Sequence, residues 1–289
     1  MINVTVLRLT AIISLLIFTL INTGCLKSIP YEPSQLATFD AEFENVRLEF
    51  ETEKGRQVAF YLPPRVSPEK PPKRINILYP GIYAVALGWR QFISQGEDPE
   101  AAYLLIDYPG RGLSDGSMRP EKNYLNTEGA LDALENRYGK GVLDAELSLM
   151  GHSFGTGAAL NFAERAEVKR IVLVSPFNTL TKAVALQSWF LSILMPSQID
   201  NNKIIRKLLD SDHPPQITIL HGSLDTTLPV TMGRELAAID PVQIDFYEFA
   251  DDDHVSILTT RRDLIFNFLN GRGDRSEPSA QTSAMKIQK

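Results

Sequence analysis

Ser153, Asp225 and His254 are residue types that together turn a hydroxyl into a nucleophile, and each stands in a context suited to that task. Ser153 is the centre of Gly151-His152-Ser153-Phe154-Gly155, after a short polar-apolar run and before Gly157, Ala158 and Ala159. A serine on a sharp strand-to-helix turn takes a strained backbone conformation. The residues two before and two after it then approach closely enough to need minimal side chains, which Gly151 and Gly155 supply. The small residues that follow keep the next helix thin enough to lie against its strand. A hydroxyl alone is a poor nucleophile and needs a base within hydrogen-bond reach. That base needs an acid to hold its tautomer and stabilise the imidazolium. Asp225, in HGSLDTTLP, and His254, in FADDDHVSIL, follow the last two predicted strands. The order along the chain is therefore Ser, Asp, His, the order expected around a nucleophile elbow.

Other polar residues near these positions read as scaffold. His152, beside Ser153, is expected to point elsewhere and pack under a cap, so that its removal would spare the chemistry. Asp251, Asp252 and Asp253 are expected to shape the loop of His254 and raise its pKa slightly through their charge. His221 and Asp107 occupy strand-end turns, and Arg111 and Ser114 are expected to build a turn.

The elements that must position these residues are short aliphatic runs separated by helix-length segments. The runs are 75–81, 102–110, 145–153, 169–176, 216–223 and 244–251, several of them apolar on both faces, as strands of a helix-covered parallel sheet are. Helices are expected at about 126–138, 156–165, 231–238 and 259–269. Before them VRLEFETEKGRQVAFYLPP carries two alternating runs around Glu53-Lys54-Gly55, a hairpin signal. Strand-helix alternation after a hairpin predicts an α/β doubly wound fold with a mixed sheet, whose chemistry belongs at the carboxyl ends of the strands. The long connection 177–213 is expected to insert a small helical cap. Within it Trp189, Phe190, Leu191 and Met195 suit either core packing or an acyl pocket.

With these motifs assembled, the region from about Val46 to Leu269 resembles an α/β hydrolase with a modest cap. DYPGRGLSDG (107–116) is similar to that superfamily's D-x-x-G-x-G-x-S turn, and SPFNTL and HGSLDTTLP match further family motifs. The combination resembles the branch of esterase-like hydrolases and membrane-associated thioesterases. The resemblance implies Ser153 as nucleophile, Asp225 as acid and His254 as base, with no metal and no organic cofactor. It implies an oxyanion hole from the backbone N–H groups of Phe154 and Ile82. Relatives usually read His-Gly-x in the second loop, where this chain reads Tyr79-Pro80-Gly81-Ile82. The expected activity is cleavage of a small acyl ester or thioester. A peptidase or lipase of the same fold, or a noncatalytic binding lipoprotein, stays open as an alternative.

The N-terminus carries LTAIISLLIFTLINTGC, with an apolar core of about Leu9 to Ile21 behind Arg8. That length suits a signal-peptide h-region better than a membrane span, which needs roughly 20 residues. Cys25 after Thr23-Gly24 resembles a bacterial lipoprotein signal, although Asn22 stands where an aliphatic residue is usual. Residues 1–24 are read as a signal peptide or membrane anchor, 25–38 as a tether, 39–270 as the hydrolase domain and 271–289 as a disordered tail. Lipidation at Cys25 would place the protein in a bacterial cell envelope; an uncleaved anchor or secretion are the alternatives.

Composition narrows the partners. Among 289 residues the formal net charge is −6, which offers no basic field for nucleic acid. Four histidines and one cysteine are too scattered for a structural zinc site, and a single cysteine forms no intramolecular disulfide.

Overall fold

Alternating residues either side of Glu53-Lys54 fold back on each other as β1 (Arg47–Thr52) and β2 (Gly55–Leu62), an antiparallel hairpin pairing Thr52 with Gly55. The structure, a computed structural model, describes residues 46–89, 92–93, 98–187 and 199–273, together with Ser34. After the hairpin come β3 (Arg74–Tyr79), β4 (Ala102–Ile106), α1 (Tyr124–Tyr138), β5 (Glu146–His152) and α2 (Phe154–Ala163). They are followed by β6 (Arg170–Val174), α3 (Leu180–Gln187), α4 (Asn201–Leu209), β7 (Gln216–Gly222) and α5 (Val230–Ala237). The last elements are β8 (Ile244–Phe249), α6 (Ser256–Thr260) and α7 (Arg262–Leu269).

The eight strands form one sheet in the order β1-β2-β4-β3-β5-β6-β7-β8. β2 runs antiparallel to both its neighbours, and every pair from β4 to β8 is parallel. The aliphatic runs are buried on both faces because helices cover both faces. On one side Ala130 and Leu134 of α1, the small-residue surface of α2, Ile204, Ile205 and Leu208 of α4, and Leu236 of α5 pack together over the sheet. On the other, Ala86, Trp89 and Ile93 join Ile257 of α6 and Ile265, Phe266 and Leu269 of α7.

Three differences from the sequence reading have physical causes. Each strand stops one to four residues before its apolar run does, because the chain turns at the carboxyl edge, where the polar residues gather. The segment expected as one helix over 259–269 is broken at Arg261 into α6 and α7. Residues 271–273, assigned to the tail, continue the fold: Gly271 turns with φ 69°, and the Arg272 guanidinium pairs with buried Asp98 at 2.8 Å.

Within 177–213, α4 packs in the core as a crossover helix between β6 and β7. Asp200 caps its start by accepting from the Lys203 amide. Residues 188–198 lie outside the described residues, and with them Trp189, Phe190, Leu191 and Met195. The same holds for residues 1–24, Cys25, the 25–38 tether apart from Ser34, and 274–289. Among the described residues no helix is long and apolar enough to cross a membrane.

Candidate active site

Ser153 sits between the end of β5 and the start of α2 with φ 54° and ψ −122°, a left-handed conformation that costs a non-glycine residue energy. The turn is held open from both sides. The Ser153 amide donates to the Val174 carbonyl of β6 at 3.0 Å, and Thr156 donates from its Oγ1 to the Ser153 carbonyl at 2.7 Å. The flanking glycines are required by close approach, as the motif suggests, though to different neighbours. A Cβ on Gly151 would overlap the Gly155 carbonyl, while one on Gly155 would overlap the carbonyls of Tyr79 and Pro80 at the end of β3. Gly157 makes room for Phe177 and Ile199 rather than for its own strand.

Asp225 and His254 arrive on the loops after β7 and β8. Those loops interlock: Ser223 donates its amide to the Phe249 carbonyl at 2.8 Å, and Leu224 donates to the Asp252 carbonyl at 3.0 Å. The structure brings all three predicted side chains into one hydrogen-bonded row. Ser153 Oγ lies 2.9 Å from His254 Nε2, and His254 Nδ1 lies 2.7 Å from Asp225 Oδ2. With Nδ1–H donating to the carboxylate, Nε2 is left to accept the serine proton, the tautomer a general base requires.

The carboxylate is well supplied with donors. Asp225 Oδ1 accepts from the amides of Thr227 at 2.9 Å and Leu228 at 2.8 Å. His221 Nε2, which donates to the Leu228 carbonyl at 2.8 Å, also lies 3.3 Å from Asp225 Oδ2. Burial pushes the Asp225 pKa up, but the hydrogen bonds from His221, His254 and Leu228 outweigh it and hold the carboxyl well below its usual range. Asp225 is therefore a carboxylate at every working pH.

The acidic neighbours of His254 are occupied in building its loop. Asp252 binds Arg261 Nε at 2.6 Å and Thr260 Oγ1 at 2.5 Å, and Asp253 accepts from the amides of Val255 and Ser256 at the start of α6.

The loop after β3 lies over Ser153. A Cβ on Gly81 would stand 3.8 Å from Ser153 Cβ. Ile82 follows on this loop, and Phe154 is the first residue of α2, where amides have no intrahelical acceptor. Neither amide donates to an acceptor among the described residues. Phe154 and Gly81, the residue before Ile82, thus stand beside Ser153, with Pro80 presenting no side-chain donor.

Sequence reasoning missed two contacts. His152 turns toward the site and meets the His254 carbonyl, and Arg111, in its turn as expected, is also buried and donates to the Ile82 carbonyl. Neither follows from spacing, because each depends on two loops far apart in the chain. Among the described residues no group of three or more His, Cys, Asp or Glu side chains converges as metal ligands would.

A family model described as the alpha/beta hydrolase fold matches residues 77–196, from β3 past the elbow into the region after α3. The fold is that of the α/β hydrolases. Among solved structures the esterase Pf2001 of Pyrococcus furiosus superposes with a TM-score of 0.60 at 17% identity, over 81% of this chain and 92% of that one. The esterase EaEST of Exiguobacterium antarcticum gives 0.55 at 14% identity, over 78% and 98%. At these identities the likeness concerns the α/β-hydrolase fold alone. Among curated proteins, alpha/beta hydrolase domain-containing protein 17C of Xenopus tropicalis is 26% identical over 182 residues, 61% of this chain and 56% of the relative. Human protein ABHD12B is 30% identical over 159 residues, 47% of this chain and 41% of the relative. The matched region thus spans about half the length of these relatives.

Proposed function

We propose that the protein is a serine hydrolase that cleaves carboxylic esters or thioesters through an acyl-enzyme on Ser153. The reading is carried by one observation: a serine held at positive φ on an elbow, hydrogen-bonded to a histidine that is in turn hydrogen-bonded to a buried carboxylate. Ser153 Oγ attacks the acyl carbonyl while its proton passes to His254 Nε2. The carbonyl oxygen becomes an oxyanion facing the amides of Ile82 and Phe154. His254 then gives the proton to the leaving alcohol or thiol, and water, deprotonated by the same imidazole, releases the acid from Ser153. Asp225 stays ionised throughout and stabilises the imidazolium. The esterases that share the fold support an acyl-transfer reaction, and an acyl substrate suits a site whose chemistry needs only this row and two amides.

Labelling with a fluorophosphonate probe tests the reading. Folded wild-type protein is expected to gain one adduct at Ser153, and Ser153→Ala none; a wild-type protein that stays unlabelled rejects the assignment. A series of p-nitrophenyl esters of rising chain length, with an acyl thioester and an aminoacyl anilide beside it, then separates esterase from thioesterase and peptidase.

We also take the N-terminal segment to bring the enzyme to a membrane through Cys25. Intact mass of the membrane-extracted protein decides: a chain starting at Cys25 with added acyl mass supports lipidation, and an unmodified chain starting at Met1 rejects it.

A further inference from the structure

Two side chains from the turn after β4 reach across to main-chain carbonyls of the loop after β3. Tyr108 donates from its hydroxyl to the Pro80 carbonyl at 2.8 Å, and Arg111 donates from Nε to the Ile82 carbonyl at 3.0 Å. Arg111 also donates from Nη1 to the Gly110 carbonyl at 3.2 Å. The turn is shaped for this reach. Gly110 and Gly112 flank Arg111 with φ of 76° and 57°, a region that glycine enters without steric cost. The turn is also anchored: Ser114 Oγ accepts from the Val58 amide at 3.0 Å, and Asn126 Nδ2 donates to the Asp107 carbonyl at 3.0 Å. The ring of Tyr108 meets that of Phe154 edge-on, with centroids 5.6 Å apart. One turn therefore touches both residues named for the oxyanion hole, Ile82 and Phe154.

Arg111 is 1% exposed, and among the described residues no carboxylate pairs with it. A buried cation without an anion is costly, and carbonyl partners offset the cost only in part. Burial lowers the pKa of the guanidinium, with the phenols of Tyr83 and Tyr108 opposing. A turn that served only to connect β4 to α1 would be more stable with a neutral residue in that place. The charge instead lies against Ile82, whose amide has no acceptor among the described residues.

We propose that Tyr108 and Arg111 are positioning residues of the oxyanion hole: they hold the carbonyls of Pro80 and Ile82 so that the Ile82 amide stays directed at the acyl oxygen, and the unpaired charge of Arg111 favours the negative charge that develops there. The inference rests on the serine-hydrolase reading. It also accounts for Pro80 in place of the histidine expected in this loop, whose order here comes from carbonyls held by the neighbouring turn.

Tyr108→Phe, Arg111→Lys and Arg111→Met, with rates normalised to active sites titrated by fluorophosphonate, separate positioning from folding. Arg111→Met is expected to lower kcat about 100-fold and Tyr108→Phe about 10-fold, within the range of an impaired oxyanion donor. KM should stay within about twofold. Affinity for an alkyl trifluoromethyl ketone, which forms a tetrahedral oxyanion on the serine, should fall in parallel with kcat. Arg111→Lys should recover part of the loss by keeping the charge. Variants that melt at lower temperature but turn over normally per active site overturn the proposal, as does a loss carried by KM alone. Hydrogen exchange of the Ala84 and Ala86 amides, which donate to the Gly81 carbonyl at 3.0 Å and to Asp107 Oδ1 at 2.7 Å, gives a readout independent of turnover. In Arg111→Met they should exchange at least about 10-fold faster, and unchanged exchange overturns the proposal even if no ester is hydrolysed. An inactive wild type with faster exchange in the variant would leave the loop-holding role supported while rejecting the hydrolase reading.

Discussion

His152 Nε2 lies 2.8 Å from the main-chain carbonyl of His254, so the residue before Ser153 holds the backbone of His254. A carbonyl only accepts, which places the proton on Nε2. Burial, the largest influence, lowers the His152 pKa to about 4, so the ring is neutral at working pH. The two imidazole centroids are 5.0 Å apart, and Trp89 closes the far side of His152 at 6.2 Å.

This contact makes His152 a positioning residue for His254, contrary to the expectation that it points away. His152→Ala should lower kcat about 10-fold, with KM nearly unchanged, because the base loop loses one buried hydrogen bond but keeps its other ties. His152→Gln, whose amide can donate in the same direction, should recover much of the rate. Steady-state kinetics on the two variants check this; equal losses in both would assign the effect to ring packing.

The same residue gives stability a pH dependence. In the unfolded chain an imidazole binds its proton below about pH 6.5. In the fold His152 resists protonation down to about pH 4. Between these values the unfolded state binds more protons, so stability is full above about pH 6.5 and declines as the pH falls toward 4. The whole interval corresponds to about 3 kcal/mol. Asp225, with its pKa depressed in the fold, adds a loss of the same sign below about pH 4. Urea midpoints between pH 7.5 and 4.5 should fall steeply in wild type and more gently in His152→Gln.

Asp225→Asn tests the tautomer argument. The amides of Thr227 and Leu228 already donate to Oδ1, so an asparagine should keep its oxygen there and turn its NH2 toward His254. His254 Nδ1 must then accept, Nε2 carries the proton, and no base faces Ser153. A fall in kcat of about 10⁴-fold is expected, the size associated with a wrongly protonated imidazole in such a row. Pre-steady-state measurement should show acylation as the slowed step.

Much of this was legible in the sequence for a local reason. Strands β3 to β7 are buried on both faces and so read as continuous aliphatic runs, and the polar residues that end them stand where the chain must turn. Ser153, Asp225 and His254 are each readable from their own strand end, and the sheet order then brings them together. The two contacts that were not legible join separate loops: His152 to His254, and Arg111 to Ile82. No periodicity records such pairs, since they depend on how far each loop leans after its strand. The packing of α4 is not legible either, for a related reason. Its apolar face has the same period whether it covers a site or a sheet, and only its packing against α2 shows which.

Gly222 carries the last prediction, because it sets the distance between the acid loop and the base loop. It ends β7 three residues before Asp225, and a Cβ there would overlap the carbonyl of Asp252, two residues before His254. That carbonyl is not free to move away. It accepts from the Leu224 amide at 3.0 Å, and the side chain of Asp252 is tied to Arg261 and Thr260. Gly222→Ala must therefore spread the two loops or distort the end of β7, at a cost of about 1–3 kcal/mol or more for overpacking. Spreading lengthens the 2.7 Å bond between His254 and Asp225, so kcat should fall with stability. Gly155→Ala offers the comparison. Its Cβ would strike β3 backbone that has no means of yielding, so a larger loss of stability is expected than for Gly222→Ala. Urea denaturation and turnover measured on both variants should show Gly222→Ala folded but impaired, and Gly155→Ala largely unfolded; a fully active Gly222→Ala would mean the base loop can shift without disturbing the row.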